Sequence, residues 1–161
     1  MNSLTSTTID TPTGPLTIVA TGAGAVRAAG FTAAAADLLA PGAPAPAPRA
    51  DLGPITAAVR AYLAGDLTAI DAVPVEQPGT GFQRAAWRAL RESKPGDPLT
   101  YSELALRAGR PAAVRAAGQA CARNQVMLFV PCHRVVPAGG GPGGYRWGAD
   151  RKRWLLDHEQ R

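Results

Sequence analysis

The chain has 161 residues, 46% of them hydrophobic, enough to bury a core and about the size of one domain or of one domain with a small appendage. Its 18 glycines and 15 prolines follow no period, which excludes a collagen-like fibre, and 18% charged residues argue against global disorder. The net charge of +5 is unevenly placed: three basic residues stand against six acidic ones before residue 79, and fourteen against six after it.

A basic second half suits a polyanionic partner for that half, and a solvated basic surface is the plainer reading of the same pattern. Met1-Asn2-Ser3-Leu4 lacks a basic and then apolar leader, so no secretory signal is predicted, and no apolar run is long enough to cross a bilayer. The expectation is a soluble, cytoplasmic protein. Residues 4–31 read as short strands: Leu16 to Ala20 follows the turn signal Thr13-Gly14-Pro15, and Gly22 to Gly24 precedes a strand over Ala25 to Phe31. Residues 40–50 are Ala/Pro-rich and predict a flexible or polyproline-like surface loop. Residues 54–64 predict an amphipathic helix with Ile55, Val59 and Leu63 on one face and Gly65 past its end. Residues 66–79 read as extended and proline-broken, a hinge between the acidic and basic halves.

The second half reads as mostly helical. Thr80-Gly81-Phe82-Gln83 is a capping box, in which hydroxyl and amide each satisfy an orphan backbone donor, and Phe82, Ala86 and Leu90 follow on one face. Thr100-Tyr101-Ser102-Glu103 is a second capping box, opening a helix that Gly109 closes. Pro111 suits the first turn of a further helix running from Ala112 to Ala122. Helix, tight glycine-containing turn and helix together match the helix-turn-helix pattern. The last of these helices exposes mostly alanine and glycine around Arg115. That face suits close approach to a phosphate backbone, and helix propensity in an alanine-rich chain explains it equally. A final helix starts near Ala149 and carries Trp154, Leu155 and Leu156.

Val126 to Val130 reads as a buried segment delivering Pro131-Cys132-His133-Arg134-Val135-Val136. A thiol next to an imidazole is the start of a nucleophile-and-base pair. A free thiol is mostly protonated at neutral pH and needs help to react. Neighbours on a strand point to opposite faces, so His133 can activate Cys132 only if the chain turns here, which Pro131 permits. Taken bare, a buried cysteine is more often structural than catalytic. The two histidines, His133 and His158, have no second Cys or His at metal-ligand spacing near them, and a structural zinc site needs about four such ligands, so no metal and no cofactor are predicted. Cys121 reads as a small inward-packed helix residue, His158 is given no role, and the glycine run 139–144 lacks the Gly-Lys-Ser/Thr of a phosphate loop.

Pro131-Cys132-His133-Arg134-Val135 resembles the acceptor motif of the O6-alkylguanine-DNA alkyltransferases, or methylated-DNA–protein-cysteine methyltransferases. Gly79 to Gln83, Trp87 with Leu90, Tyr101 with Leu104-Ala105, Ala113-Val114-Arg115, Asn124, Gly143 to Gly148 and Leu155-Leu156 are similar to further landmarks of that family, in family order over about residues 79–159. The resemblance implies an α+β fold: a small, variable, ribonuclease-H-like α/β domain over 1–78, then a mostly helical domain over 79–161 that carries the helix-turn-helix, binds DNA and accepts the alkyl group. It implies a monomer that repairs double-stranded DNA carrying O6-alkylguanine, with O4-alkylthymine as a second substrate, by one irreversible transfer to cysteine after nucleotide flipping.

The same resemblance implies the site residues. Cys132 is the nucleophile, His133 its base through a water, and Glu159 the carboxylate that orients His133. Asn124 braces the turn and Tyr101 hydrogen-bonds the guanine ring. Val135, Gly143, Tyr145 and Arg146 line the base pocket with Tyr101. Ala113, Val114, Ala116, Gly118 and Arg123 meet DNA in the minor groove, and Arg115 fills the gap left by the flipped nucleotide. Gln125 and Met127 stand where many members carry proline, and Arg146-Trp147 replaces Ser-Gly, which bears on lesion size. Two alternatives are a lesion sensor, disfavoured because such family members lack the acceptor cysteine, and a Cys-His hydrolase with no dependence on DNA. The repair reading expects the Cys132 sulfur to be exposed, ionisable and served by an imidazole.

Overall fold

The computed structural model describes residues 3–160. It is a mixed α+β structure with five helices and a small sheet, and it divides into two compact units, Met1–Gln77 with Gln125–Phe129, and Pro78–Asn124 with Val130–Arg161.

The first unit is built on strands β1 (Thr5–Thr11), β2 (Gly14–Ala20) and β3 (Val26–Gly30), an antiparallel meander. Pro12 and Thr13 form the two-residue β1–β2 connection; Gly14, at φ +116°, takes a backbone conformation that side chains disfavour. Leu16, Ile18, Val19 and Ala20 are all buried, so β2 is covered on both faces. A short strand, β4 (Ala47–Pro48), pairs parallel with β1, so the order is β3-β2-β1-β4. The surface loop expected over 40–50 is mostly exposed and irregular, and departs from that expectation only where Ala47–Pro48 pairs with β1. Ala47 and Arg49 donate backbone N–H groups to the carbonyls of Leu4 and Ser6, donors that the alternation with Pro46 and Pro48 leaves available.

Helix α1 (Pro54–Leu63) follows with Ile55, Val59 and Tyr62 buried, so its inner stripe turns through Tyr62 rather than Leu63. Residues 66–79 are not simply extended: Ala69–Ala72 forms a 3-10 turn that buries Ile70, because no proline interrupts the local bonds Ala69 N–H to Asp66 and Asp71 N–H to Thr68. The outer edge of β3 is satisfied by two segments, Val75 bridging Val26 and Val126 bridging Ala29. The second of these is part of the five-residue strap Gln125–Phe129, within which Leu128 holds a left-handed φ of +71°.

In the second unit, helix α2 (Gly81–Glu92) opens with its capping box complete: Thr80 Oγ1 accepts from Gln83 N at 3.2 Å and Gln83 Oε1 accepts from Thr80 N at 3.0 Å. Strand β5 (Leu99–Thr100) leads into α3 (Tyr101–Arg107), capped by the reciprocal pair Thr100 and Glu103 and closed at Gly109, φ +90°. Helix α4 is Val114–Ala122 and starts two residues later than expected. Pro111 lies instead in a separate turn closed by Ala113 N–H to Arg110, and Ala113, the N-cap, has no side-chain oxygen to extend the helix backwards. Ala117 and Ala120 of α4 are fully buried, and Trp87 of α2 donates its indole N–H to the Ala120 carbonyl at 2.9 Å. That carbonyl lies in the last helical turn, where it needs an outside partner. Gly79 completes the joint, since a Cβ there would sit 2.6 Å from the Trp87 ring. Strand β6 (Val135–Val136) pairs with β5, and α5 (Ala149–Glu159) ends the fold. Among the described residues, no helix is long and apolar enough to cross a membrane.

Candidate active site

Pro131 turns the chain into a single 3-10 turn, Cys132–Arg134. Three residues per turn splay successive side chains about 120° apart, which removes the strand alternation that would have separated Cys132 from His133. Strand β6 leaves this turn and pairs Val135 with Leu99 and Val136 with Thr100, so the turn is carried beside the start of α3 and Tyr101.

His133 is completely buried, and its Nε2 lies 2.8 Å from Glu159 Oε2. Glu159, third from the end of the sequence, is no frayed surface charge: it is 4% exposed on the inner face of α5. Burial opposes its ionisation, but the facing His133 and Arg134 outweigh burial and bring its pKa to about 2. Burial holds the His133 ring below the usual imidazole range, with Arg134 and Lys152 adding to the effect and Glu159 opposing it, so the ring is neutral at pH 7. A neutral ring facing a carboxylate donates from Nε2, which leaves Nδ1 as an acceptor. Nδ1 is buried and has no hydrogen-bond partner among the described residues.

The Cys132 thiol is buried, 9% exposed, rather than open as expected. Burial pushes its pKa up; a hydrogen bond from Asn124 and the charge of Lys152 pull it down. Asn124 donates Nδ2–H to the Val130 carbonyl at 2.8 Å, tying the end of α4 to the residue before Pro131. Tyr101 lies over Gly118, whose added Cβ would touch the ring at 3.7 Å. Burial raises the Tyr101 hydroxyl pKa, and the neighbouring Cys121 and Cys132 add to the rise. Burial likewise pushes the Cys121 thiol up to about 12.

The predicted residues thus fall into three groups. His133 is hydrogen-bonded to Glu159 and Asn124 to the adjacent Cys132, while Tyr101 lies near enough for the Cys132 thiol to act on its hydroxyl. Of the residues predicted to meet DNA, Val114, Arg115 and Ala116 on α4 and Arg123 past its end are exposed, while Ala113 is half-buried at the N-cap and Gly118 turns inward to Tyr101. In the loop before α5, Gly143 has φ +75° and a Cβ there would strike Pro137 at 2.9 Å. Tyr145 is half-buried, and Arg146 is exposed with its guanidinium 4.5 Å over the Trp147 ring.

Sequence reasoning missed two buried cations. Lys152 is 1% exposed and donates to the Gly144 carbonyl at 3.2 Å. Arg134 is also 1% exposed and makes paired bonds to Glu159. A signal for Lys152 was present: residues 152, 155 and 159 share one helical face, which places it in line with Leu155 and Glu159. Arg134 carries no such sign, because neither periodicity nor composition marks an inward-turned arginine in a three-residue turn.

Residues 81–161 match the family described as 6-O-methylguanine DNA methyltransferase, DNA binding domain. A methylated-DNA–protein-cysteine methyltransferase of Shigella flexneri is 44% identical over 107 residues, 66% of this chain and 63% of that relative, so the chain spans less than two thirds of its length. One from Mycolicibacterium paratuberculosis is 43% identical over 114 residues, 71% of this chain and 68% of the relative. Among solved structures, Mycobacterium tuberculosis OGT in complex with DNA superposes with a TM-score of 0.83 at 34% identity, covering 97% of this chain and 92% of that one.

Proposed function

Because this chain belongs to the 6-O-methylguanine DNA methyltransferase family, we propose that it repairs O6-alkylguanine in double-stranded DNA by moving the alkyl group to Cys132. The observation that carries the reading is the connected set Asn124–Cys132 and His133–Glu159, held in one buried turn with His133 Nδ1 left as acceptor.

In the proposed reaction the Cys132 proton passes through a bridging water to His133 Nδ1, and the sulfur attacks the alkyl carbon in line. The sulfur–carbon bond forms as the carbon–O6 bond breaks. The electron pair leaves on guanine, Tyr101 hydrogen-bonds the ring as charge develops there, and the base takes up a proton. A thioether has no easy return path, so each chain reacts once. The lesion carbon is inside a stacked duplex and must be flipped out, at a cost of a few kcal/mol. Arg115, exposed at the start of α4, offsets part of that cost by filling the gap. The α3–turn–α4 segment acts as the helix-turn-helix, with Ala113, Val114, Ala116, Gly118 and Arg123 along the DNA side, and the 1–78 region is a ribonuclease-H-like structural domain. Val135, Gly143, Tyr145 and Arg146 line the pocket, and O4-alkylthymine is a second substrate. The thiol's burial suits a group that becomes reactive only when a base fills the pocket beside it.

The test is the intact mass after incubation with an O6-methylguanine duplex. A gain of one methyl, absent in Cys132→Ala, supports transfer; an unchanged mass with retained DNA binding would make the protein a sensor.

A further inference from the structure

Arg134 lies one position beyond the proposed base, and the mechanism above gives it nothing to do. Its side chain is nonetheless among the most buried in the protein, at 1% exposure. Burying a guanidinium costs several kcal/mol unless its donors are satisfied and its charge is matched. Here the charge faces a carboxylate, and four of the five N–H donors have named acceptors. Nε donates to Glu159 Oε1 at 2.9 Å and Nη2 to Glu159 Oε2 at 3.1 Å, a two-point fork, while Nη1 donates to the Ser93 carbonyl at 2.9 Å and to Ser93 Oγ at 3.1 Å. Ser93 is the C-cap of α2, so the fork ties the end of that helix to the end of α5.

Both Glu159 oxygens are thereby engaged, and Oε2 is shared between Arg134 Nη2 and His133 Nε2. A carboxylate gripped in this way can neither rotate nor take up a proton to donate back. We propose that Arg134 is a positioning residue: by gripping both oxygens of Glu159 and anchoring on Ser93, it fixes that carboxylate as an acceptor, forces His133 to donate from Nε2, and so reserves Nδ1 for the thiol proton. The charged groups acting on His133 are Glu159 and Lys152 from α5 and Arg134 from its own turn. Within that set Arg134 also keeps the ring neutral, because a cation beside the imidazole disfavours a second positive charge. Lysine could supply the charge, but not the planar fork.

This inference rests on the alkyl-transfer reading for its rate readout, though not for its spectroscopic one. The full chain and its Arg134→Met and Arg134→Lys variants are labelled with 15N-histidine and followed by NMR between about pH 5 and pH 8, where imidazoles titrate. Single-turnover transfer from an O6-methylguanine duplex is timed over the same range. In the unsubstituted protein the His133 ring should remain the single tautomer protonated at Nε2. In Arg134→Met the ring should take up its second proton at higher pH, and the rate deficit should widen as pH falls, reaching about tenfold or more at the acid end. Arg134→Lys keeps a buried cation, which preserves a readable protein should the Met variant fail to fold. It should hold the ring neutral, mix the two tautomers and slow transfer at every pH. Wild-type tautomer and titration in whichever variant folds would overturn the proposal, as would a rate loss of constant size across pH in Arg134→Met. If the unsubstituted protein accepts no methyl, the alkyl-transfer reading fails and the histidine spectra still decide the role of Arg134.

Discussion

Single side chains account for most of the chemistry, and their roles separate cleanly by substitution. Cys132→Ala should abolish methyl transfer and leave duplex affinity within about threefold, because a buried thiol adds little contact area; gel-shift titration beside the mass assay checks both. Under the proposed flipping step, Arg115→Ala should slow repair of duplex DNA by tenfold or more, while reaction with free O6-benzylguanine stays near wild type. Equal slowing of both substrates would remove Arg115 from the extrusion step. Much of this residue set was legible in the sequence, since Pro131 to Val135 and Asn124 stand in a recognisable pattern. What escaped was the inward turn of two cations. Arg134 and Lys152 carry no role of their own in the sequence reading, and the three-dimensional path of the turn and of α5 shows both side chains buried with polar partners.

At the level of elements, local rules were most reliable where a cap could be read directly. Both capping boxes form, at Thr80 with Gln83 and at Thr100 with Glu103. Thr80→Ala should cost about 1 kcal/mol of stability, measured by denaturant unfolding. Gly79→Ala should cost more, about 1–3 kcal/mol, because its Cβ would sit 2.6 Å from the Trp87 ring and that ring is fixed by its bond to Ala120. A neutral Gly79→Ala would mean that the indole has room to move. Local rules failed where a weak local preference met a tertiary partner. The 40–50 segment read as a flexible surface loop, yet two of its N–H groups find the carbonyls of Leu4 and Ser6. The helix expected from Pro111 begins at Val114, because nothing at Ala113 satisfies an earlier start. The five-residue strap Gln125–Phe129 belongs with the first unit, an exchange of chain that composition does not signal.

For the whole molecule, two buried ionisable groups set the response to acid. His133 is held below the ordinary histidine range, so the unfolded chain takes up a proton near pH 6.5 that the folded one refuses, and stability falls as pH drops below that value. Glu159 is held at about 2 against 4.5, so its contribution is complete above pH 4.5 and is lost as pH falls from there towards 2. Thermal unfolding should therefore show Tm falling in two stages below about pH 6.5, and the second stage should vanish in Glu159→Gln. A Tm that rises on acidification through pH 6.5 would contradict the neutral, buried imidazole. The basic second half should make DNA binding weaken steeply with salt, through release of condensed counterions. The central claim is that one sulfur takes one alkyl group once. The direct measurement is peptide mapping by mass spectrometry after reaction with excess O6-methylguanine duplex. The account predicts a single methyl per chain, confined to the peptide containing Cys132 and unchanged by longer incubation; a methyl on Cys121, or continued turnover of lesions by unmodified protein, would contradict it.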